Sequence, residues 1–383
     1  MSYLPYGHQT IEDDDVQAVI EALRSDWLTQ GPNVDHFEEA LAATCAARYA
    51  VAFNSGTAAL HAACAAAGLG PGDELLSPAF SFAASANCAR YVGADVGFVD
   101  IDASTLACEA AAFAEAAGGR TRAVVPVHYA GRPVDLSELA SLRARGVTVI
   151  EDAAHAIGTI GPHGPVGNCA TSDMTCFSFH PVKTITTGEG GAVTTNDADL
   201  ADRLRVFRTH GIVRRPPDDD PSAGDWYYEI SDLGMNYRIT DVQCALGTSQ
   251  LAKLERFVSR RNEIAARYRE LFAGTDVGLQ TPVEPPLRHA YHLFVALLPE
   301  GIDRKAVFDA LRADGFGVQV HFIPIYWHPY YRRLGFERGL CPETERVYHR
   351  CLSLPVFPGM SDADVERSAA ARLREVERAH VAR

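Results

Sequence analysis

The sequence lacks closely spaced cysteines. Its nine cysteines are an odd number, and the nearest two, Cys169 and Cys176, stand seven positions apart, so no CxxC pair occurs. Neither a disulfide framework nor a metal site is therefore indicated. The polar, acidic start MSYLPYGHQTIEDDD does not have the pattern of a signal peptide. Together these features predict a soluble protein of the reducing cytoplasm.

Basic residues and long apolar runs are also scarce. The chain has 35 Lys and Arg against 49 Asp and Glu, which gives a net charge of −14. A protein that binds nucleic acid or an anionic membrane needs a surplus of the opposite sign. No run reaches the ~18 apolar residues of a membrane span. What the chain does have is 383 residues, 47% of them hydrophobic, which suffices for about two domains and a large core.

Helical and β-branched segments alternate through the first 250 residues. This order predicts an α/β fold with a mostly parallel sheet. A first helix is expected where Thr10 and Asp13 form a capping signature. Further helices are expected at 58–67 and 136–145, each closed by a glycine. The expected strands are Ala50–Phe53, Ala123–Val127, Val147–Glu151, Met174–Phe179 and Ala192–Thr195.

The pattern changes after residue 213. The turn-rich segment Arg214–Gly224 is predicted to be a surface loop. A long amphipathic helix is expected to begin at Leu251 and to continue through Leu254 and Phe257. We take it as the bridge between a large α/β domain at 1–250 and a smaller α+β domain at 251–383.

The first candidate functional residues follow the strand at 50–53. Gly56 and Thr57 open directly into a helix, where free N–H groups and the helix dipole favour an anion. Gly56 permits close backbone approach, and Thr57 adds a hydroxyl. An ordinary capped helix start is the alternative, and no Walker A motif GxxxxGK is present.

Asp152 follows the apolar strand at 147–151, with His155 three residues further on. A carboxylate at the exit of a buried strand needs a cationic partner, for which a pyridinium nitrogen is suitable. The alternative is an aspartate that caps backbone N–H groups.

Lys183 follows the strand at 174–179, in a loop of small residues and glycines, and Ser178 stands near the strand end. Most lysines are solvent-exposed, which is the alternative here. A partly desolvated lysine beside a phosphate pocket is instead suited to form a Schiff base. An anion clamp, a buried aspartate and a loop lysine at successive strand ends are the set that pyridoxal 5'-phosphate (PLP) requires.

Beyond these residues, whole motifs resemble a known family, the DegT/DnrJ-type nucleotide-sugar aminotransferases, which are fold-type I PLP enzymes. The narrower resemblance is to the branch that makes UDP-4-amino-4,6-dideoxy-N-acetyl-β-L-altrosamine for pseudaminic acid. The motifs are WLTQGP (27–32), NSGTAAL (54–60), PGDE (71–74), EDAAHA (151–156), SFHPVKTITTGEGG (178–191), WYYE (226–229), NYRITD (236–241), VHFIP (320–324) and SLPVFPGM (353–360).

The resemblance implies a role for each matching residue, within a seven-stranded, mostly parallel sheet. Lys183 would form the imine with PLP, Asp152 would pair with the ring nitrogen, and His155 would lie by the ring hydroxyl. The phosphate would be held by Gly56, Thr57 and Ser178. Phe82 would stack on the cofactor, with core packing as the alternative. Asn236 and Arg238 would reach the partner subunit's cofactor, which implies a homodimer with shared sites. Thr29 and His321 would line the substrate pocket, and Phe322 stands where many relatives have Tyr.

The implied reaction is ping-pong transfer of an amino group from L-glutamate to a 4-keto-6-deoxy nucleotide sugar. UDP-4-keto-6-deoxy-N-acetyl-β-L-altrosamine is the acceptor that the narrower resemblance favours. Another keto sugar, aminated at C3 or C4 and linked to dTDP or GDP, remains open, as does a non-catalytic PLP-fold regulator. A sugar dehydratase of the same fold would have His in place of Lys183. The net charge does not attract an anionic nucleotide, so Arg214, Arg215 and Arg238 are candidates to bind it.

Overall fold

The computed structural model describes residues 3–214 and 224–381. The predicted loop at 214–224, including Arg215, therefore lies almost wholly outside the described residues. The helices are α1 (Asp13–Arg24), α2 (Pro32–Cys45), α3 (Gly56–Ala66), α4 (Ala84–Tyr91), α5 (Ala110–Ala116), α6 (Ala140–Arg143), α7 (Ala198–Arg208), α8 (Asp241–Leu251), α9 (Leu254–Leu271), α10 (Arg304–Ala313), α11 (Pro329–Arg332), α12 (Pro342–Arg350) and α13 (Asp362–Val381). The strands are β1 (Tyr49–Phe53), β2 (Glu74–Pro78), β3 (Asp95–Val99), β4 (Thr121–Val124), β5 (Thr148–Asp152), β6 (Ile160–Gly161), β7 (Gly164–Pro165), β8 (Met174–Ser178), β9 (Gly191–Thr195), β10 (Ile212–Val213), β11 (Glu229–Ile230), β12 (Gly278–Leu279), β13 (Phe294–Leu297) and β14 (Cys351–Leu354).

The central sheet has seven strands in the order β1-β9-β8-β5-β4-β2-β3. Only β9 runs antiparallel to its two neighbours; the other pairs in the sheet are parallel. The prediction of a mostly parallel seven-stranded sheet is confirmed. Because β1, β5 and β8 point the same way, the segments that leave them emerge at one edge of the sheet, where α/β proteins bind ligands.

Two strands of the central sheet were not predicted. β2 has the sequence ELLSP and β3 has DVGFV, and both pair within the sheet. β2 contains no β-branched residue and ends in proline, while β3 is interrupted by Gly97, so neither has a strong local strand signal. Pairing within the sheet, with β2 mostly buried and β3 buried at Val96 and Val99, makes up for the weak local preference.

Three helix boundaries differ from prediction. The capping box of α1 is formed by Glu12 and Asp15, not by Thr10 and Asp13, and Asp15 is fully buried. The segment expected to be one helix at 136–145 is a 3₁₀ turn at Ser137–Leu139 followed by the short α6. The long helix begins at Leu254 rather than Leu251, because α8 ends first.

The C-terminal part of the chain builds a second apolar core around the sheet β12-β13-β14. Residues near the N-terminus also belong to this core, since Leu4 forms a bridge with Phe316. The helix α8 ends at Leu251. The division into domains at residue 250 stays a prediction.

Across the described residues, no helix is both long and apolar enough to cross a membrane. The cysteines are buried free thiols.

Candidate active site

The N-terminus of α3 forms an anion cradle. Ser55 caps the helix by accepting the N–H of Ala58 at 3.1 Å. Within the described chain, the N–H groups of Gly56 and Thr57 and the hydroxyls of Thr57 and Ser178 have no hydrogen-bond partner. A Cβ added to Gly56 would lie 2.8 Å from the Cβ of Ser178, so only glycine permits this approach. The unpaired donors and the helix dipole fit a phosphate.

Asp152 is the last residue of β5 and is 5% exposed. Its Oδ2 accepts the hydroxyl of Ser85 at 2.6 Å, and its Oδ1 accepts the N–H of Ala154 at 3.0 Å. None of the salt bridges among the described residues involves this carboxylate. A buried carboxylate with two neutral donors and no ion pair is suited to a cationic ligand group, such as a protonated ring nitrogen.

The amine of Lys183 makes no hydrogen bond or ion pair with any described residue. The loop that carries it is fixed by its own backbone N–H, which donates to the carbonyl of His180 at 2.8 Å. Burial lowers the pKa of Lys183 to about 8, although Asp152 acts in the opposite direction. At pH 7 about a tenth of the amine is therefore unprotonated, far more than for an ordinary lysine, and can act as a nucleophile.

Three histidines form one wall of the site. The Nδ1 of His155 accepts the N–H of Ala130 at 3.2 Å, and its ring centroid lies 4.4 Å from that of His292. Burial, with Lys183 nearby, lowers the pKa of His155 and of His292 well below the ordinary value. For the same reasons the pKa of His321 falls to about 3. All three imidazoles are neutral at pH 7.

These groups surround one cavity of about 870 Å³. Phe82 also lines the cavity and is 59% exposed, so it is not a core residue. The centroid of its ring lies 6.0 Å from that of Phe322. His321 is held by a hydrogen bond between its Nδ1 and the hydroxyl of Ser353 at 2.8 Å. The predicted residues that line the cavity are Gly56, Thr57, Phe82, Asp152, His155, Ser178, Lys183 and His321.

Four other candidate residues do not line this cavity. Asn236 forms a backbone bridge with Thr209, and Arg238 borders a separate small cavity of about 180 Å³. Thr29 is exposed and pairs with Thr240. Arg214 is exposed and also lies outside the cavity. A role for Asn236 or Arg238 at a cofactor phosphate therefore requires a second copy of the chain.

Sequence reasoning missed several residues of the site. Tyr6 and His292 line the cavity, and Ser85 bonds to Asp152. His292 follows the residues HAY at the start of an apolar run. It is far from Asp152 and Lys183 in the sequence and forms no motif with either. No local signal distinguishes it from a core histidine. Ser85 likewise looks like any helix serine until the fold brings it to Asp152.

Comparison with known proteins places the chain among sugar aminotransferases. Residues 9–371 match the DegT/DnrJ/EryC1/StrS aminotransferase family. SpsC of Bacillus subtilis, a spore coat polysaccharide biosynthesis protein, is 42% identical over 371 residues, which cover 95% of each chain.

Solved structures agree with this match. The Helicobacter pylori aminotransferase PseC, involved in the biosynthesis of pseudoaminic acid, superposes with a TM-score of 0.90 at 30% identity, over 98% of this chain and 100% of its own. Spr1654 from Streptococcus pneumoniae, assigned as a sugar aminotransferase, superposes with a TM-score of 0.91 in its PLP form, at 27% identity over 98% of this chain and 99% of its own. Its PMP form gives the same TM-score. PseC is thus one similar structure among several, and the narrower resemblance to the pseudaminic acid branch does not follow from these matches.

Proposed function

The chain belongs to the DegT/DnrJ/EryC1/StrS aminotransferase family and is a PLP-dependent sugar aminotransferase, and we propose that it transfers the amino group of L-glutamate to a 4-keto-6-deoxy sugar linked to a nucleotide. The site assignment rests on three groups that lie around one cavity. These are the unpaired donors at Gly56, the buried carboxylate of Asp152 and the unpaired amine of Lys183.

Each group fits one part of PLP. The cradle of Gly56, Thr57 and Ser178 would hold the phosphate, Asp152 would hold the ring nitrogen in its protonated state, and Lys183 would bind the aldehyde carbon. When bound, PLP supplies an electron sink and also carries the amino group between the two half-reactions. The neutral wall that includes His155 does not compete for Asp152, so the carboxylate stays available to the ring.

Lys183 has a second task once its amine is free of the cofactor. It would move a proton between the Cα of the amino donor and the cofactor carbon, and then reverse this transfer on the sugar carbon. A pKa near 8 suits both directions, since the amine can accept and return a proton near neutral pH. His155 would hold the ring hydroxyl through its Nε2, because its Nδ1 is already bonded to Ala130.

For the acceptor we propose UDP-4-keto-6-deoxy-N-acetyl-β-L-altrosamine. The support is the sequence resemblance to the pseudaminic acid branch and the likeness to PseC at 30% identity. The stronger match to SpsC, named for a spore coat polysaccharide, keeps a different keto sugar as the second candidate.

We also propose a homodimer with shared sites. Asn236 and Arg238 do not line the cavity of their own chain. In the same part of the chain, Trp226, Ile230 and Leu233 are 77%, 66% and 82% exposed. Large apolar side chains grouped in this way favour a protein–protein interface. The partner subunit would then supply Asn236 and Arg238 to this cofactor phosphate.

A substrate panel tests the proposed reaction. The purified enzyme is incubated with L-glutamate and, in turn, the UDP-linked 4-keto sugar named above and dTDP- and GDP-linked 3-keto and 4-keto sugars, and mass spectrometry detects the amine. We expect the UDP-linked 4-keto sugar to be aminated with the highest kcat/KM. Preference for a 3-keto sugar, or for a dTDP- or GDP-linked sugar, would overturn the substrate assignment. Failure of glutamate as the donor would overturn the donor assignment.

A further inference from the structure

Tyr6 enters the active-site cavity from the N-terminal segment, more than 40 residues before the cradle at α3. Two backbone contacts tie this segment to the C-terminal part of the chain. The N–H of Leu4 donates to the carbonyl of Gly315 at 2.9 Å, and the N–H of Val356 donates to the carbonyl of Tyr6 at 3.0 Å. Tyr6 is thus held in place from both sides, as a binding residue has to be.

The ring of Tyr6 lies beside His321, with centroids 5.2 Å apart and planes tilted by 54°. His321 is fixed by Ser353, three positions before the Val356 that holds Tyr6. The two side chains therefore form one patch fastened to the same stretch, 353–356. Phe322 lies next to them, and Tyr6, His321 and Phe322 together form this wall of the cavity.

The hydroxyl of Tyr6 is a free donor of the wall formed by Tyr6, His321 and Phe322. It has no hydrogen-bond partner among residues 3–214 and 224–381. Partial burial raises the pKa of Tyr6, so the hydroxyl keeps its proton at every working pH. Phe322 has no hydroxyl, and the Nδ1 of His321 is already bonded to Ser353.

This wall also has no positive charge. His321 is neutral, and Tyr6 and Phe322 are uncharged. A dicarboxylate such as glutamate requires cationic partners for its carboxylates. A sugar ring has an apolar face that packs on aromatic rings and oxygens that accept hydrogen bonds from neutral hydroxyls. The chemistry of the wall therefore fits the acceptor sugar and not the amino donor.

We propose that Tyr6 is a specificity-determining residue for the acceptor half-reaction: its hydroxyl donates a hydrogen bond to an oxygen of the keto sugar, and its ring packs against the sugar. This inference rests on the keto-sugar acceptor of the proposed function. It assigns Tyr6 no part in the reaction with glutamate.

Separating the two half-reactions tests this assignment. The variant Tyr6→Phe is compared with the wild type, using the keto-sugar nucleotide of the panel above that the wild type aminates best. We expect KM for the sugar to rise about 3- to 10-fold, the usual cost of one lost hydrogen bond. The glutamate half-reaction, followed by the absorbance change of the cofactor in single turnovers, should keep its rate within about two-fold.

Tyr3→Phe is the matched control. Tyr3 stands on the same segment, is 58% exposed and does not line the cavity, so this variant should change neither half-reaction. The inference is wrong if Tyr6→Phe leaves KM for the sugar unchanged, or if it slows the glutamate half-reaction as much as the sugar half-reaction. Failure of the proposed function is visible separately, as a wild-type enzyme that aminates no sugar of the panel.

Discussion

Burial controls the charge of the side chains around Lys183. It lowers the pKa of Lys183 to about 8 and keeps His155 and His321 neutral. The carboxylate of Asp152 acts in the opposite direction and raises the pKa of the lysine. The site therefore places an amine with a lowered pKa and a buried carboxylate in the same desolvated space, which is the environment that PLP chemistry needs.

Reductive labelling should identify Lys183 as the residue that binds PLP. The chain has only three lysines. Lys253 bonds to Asp15 at 2.6 Å, and Lys305 bonds to Asp309 on the exposed face of α10, so neither is free near the cavity. After borohydride treatment of the yellow enzyme, peptide mapping should find the pyridoxyl group on Lys183. A label on either other lysine would refute the assignment.

The variant Lys183→Ala completes this test. It removes both the amine that binds PLP and the proton carrier, so we expect PLP or PMP still to bind at the cradle while transamination falls to a negligible rate. Retained turnover would mean that another base moves the proton.

Replacing Asp152 with Asn keeps its shape and removes its charge. The ring nitrogen would lose the carboxylate that keeps it protonated, and we expect proton removal from glutamate to slow by at least ~10²-fold. Rapid-mixing spectroscopy with deuterated glutamate measures this step. Ser85→Ala removes only one donor to the same carboxylate and should have a smaller effect. Near-normal turnover in Asp152→Asn would show that the carboxylate acts only as a backbone cap.

At the scale of elements, the start of α3 depends on its close approach to the end of β8. The two elements touch at Gly56 and Ser178, where an added Cβ would be 2.8 Å from the serine. The fit leaves the first N–H groups of the helix unpaired at one end of the cavity. A helix of 11 residues directs its dipole to the same point.

Gly56→Ala should weaken PLP binding more than it weakens folding. The methyl group would push Ser178 away and distort the cradle, so we expect the Kd for PLP to rise by about 10-fold or more, a loss of roughly 1.4 kcal/mol. Fluorescence titration of the cofactor-free protein measures this. Gly70→Ala is the control, since an added Cβ there meets nothing within 4 Å. Equal Kd values for the two variants would contradict the cradle.

At the scale of the whole molecule, the proposed shared sites would make cofactor binding and dimerisation depend on each other. Lys183→Ala lacks the amine, and a double variant of Asn236 and Arg238 lacks the phosphate contacts made in trans. In a mixed dimer one site carries both defects and the other carries neither. We therefore expect activity to return when the two inactive proteins exchange subunits. Confirmed exchange without activity would show that the sites are not shared.

Buried histidines should make stability depend on pH. His289 is 1% exposed, and burial lowers its pKa well below 6.5. In the unfolded chain this pKa returns to ~6.5, so below that pH the unfolded state binds a proton that the folded state does not. Stability is therefore full above pH 6.5 and falls as the pH decreases further.

Substituting His289→Asn should remove one such contribution. Between pH 6.5 and 5.0 the wild type should lose about 1.5 kcal/mol more unfolding free energy than the variant. Urea unfolding of both proteins at saturating PLP measures the difference. The exposed His36→Asn should behave as the wild type. Parallel curves for His289→Asn and wild type would refute the coupling.

The sequence by itself determined the fold class and the centre of the site. Alternating helical and apolar segments were enough to predict the α/β fold, because hydrophobic periodicity can be read from each segment by itself. Gly56, Asp152 and Lys183 were identifiable because each follows a predicted strand, and parallel strands deliver their ends to one edge.

Only the tertiary structure decided what lies far apart in the chain. It brought Tyr6 to His321, placed His292 beside His155 and joined Ser85 to Asp152 by a hydrogen bond. None of these contacts has a local signal, since each joins segments dozens to hundreds of residues apart. Burial, which sets the charge of every histidine in the wall, is likewise a property of the packed molecule and not of any segment.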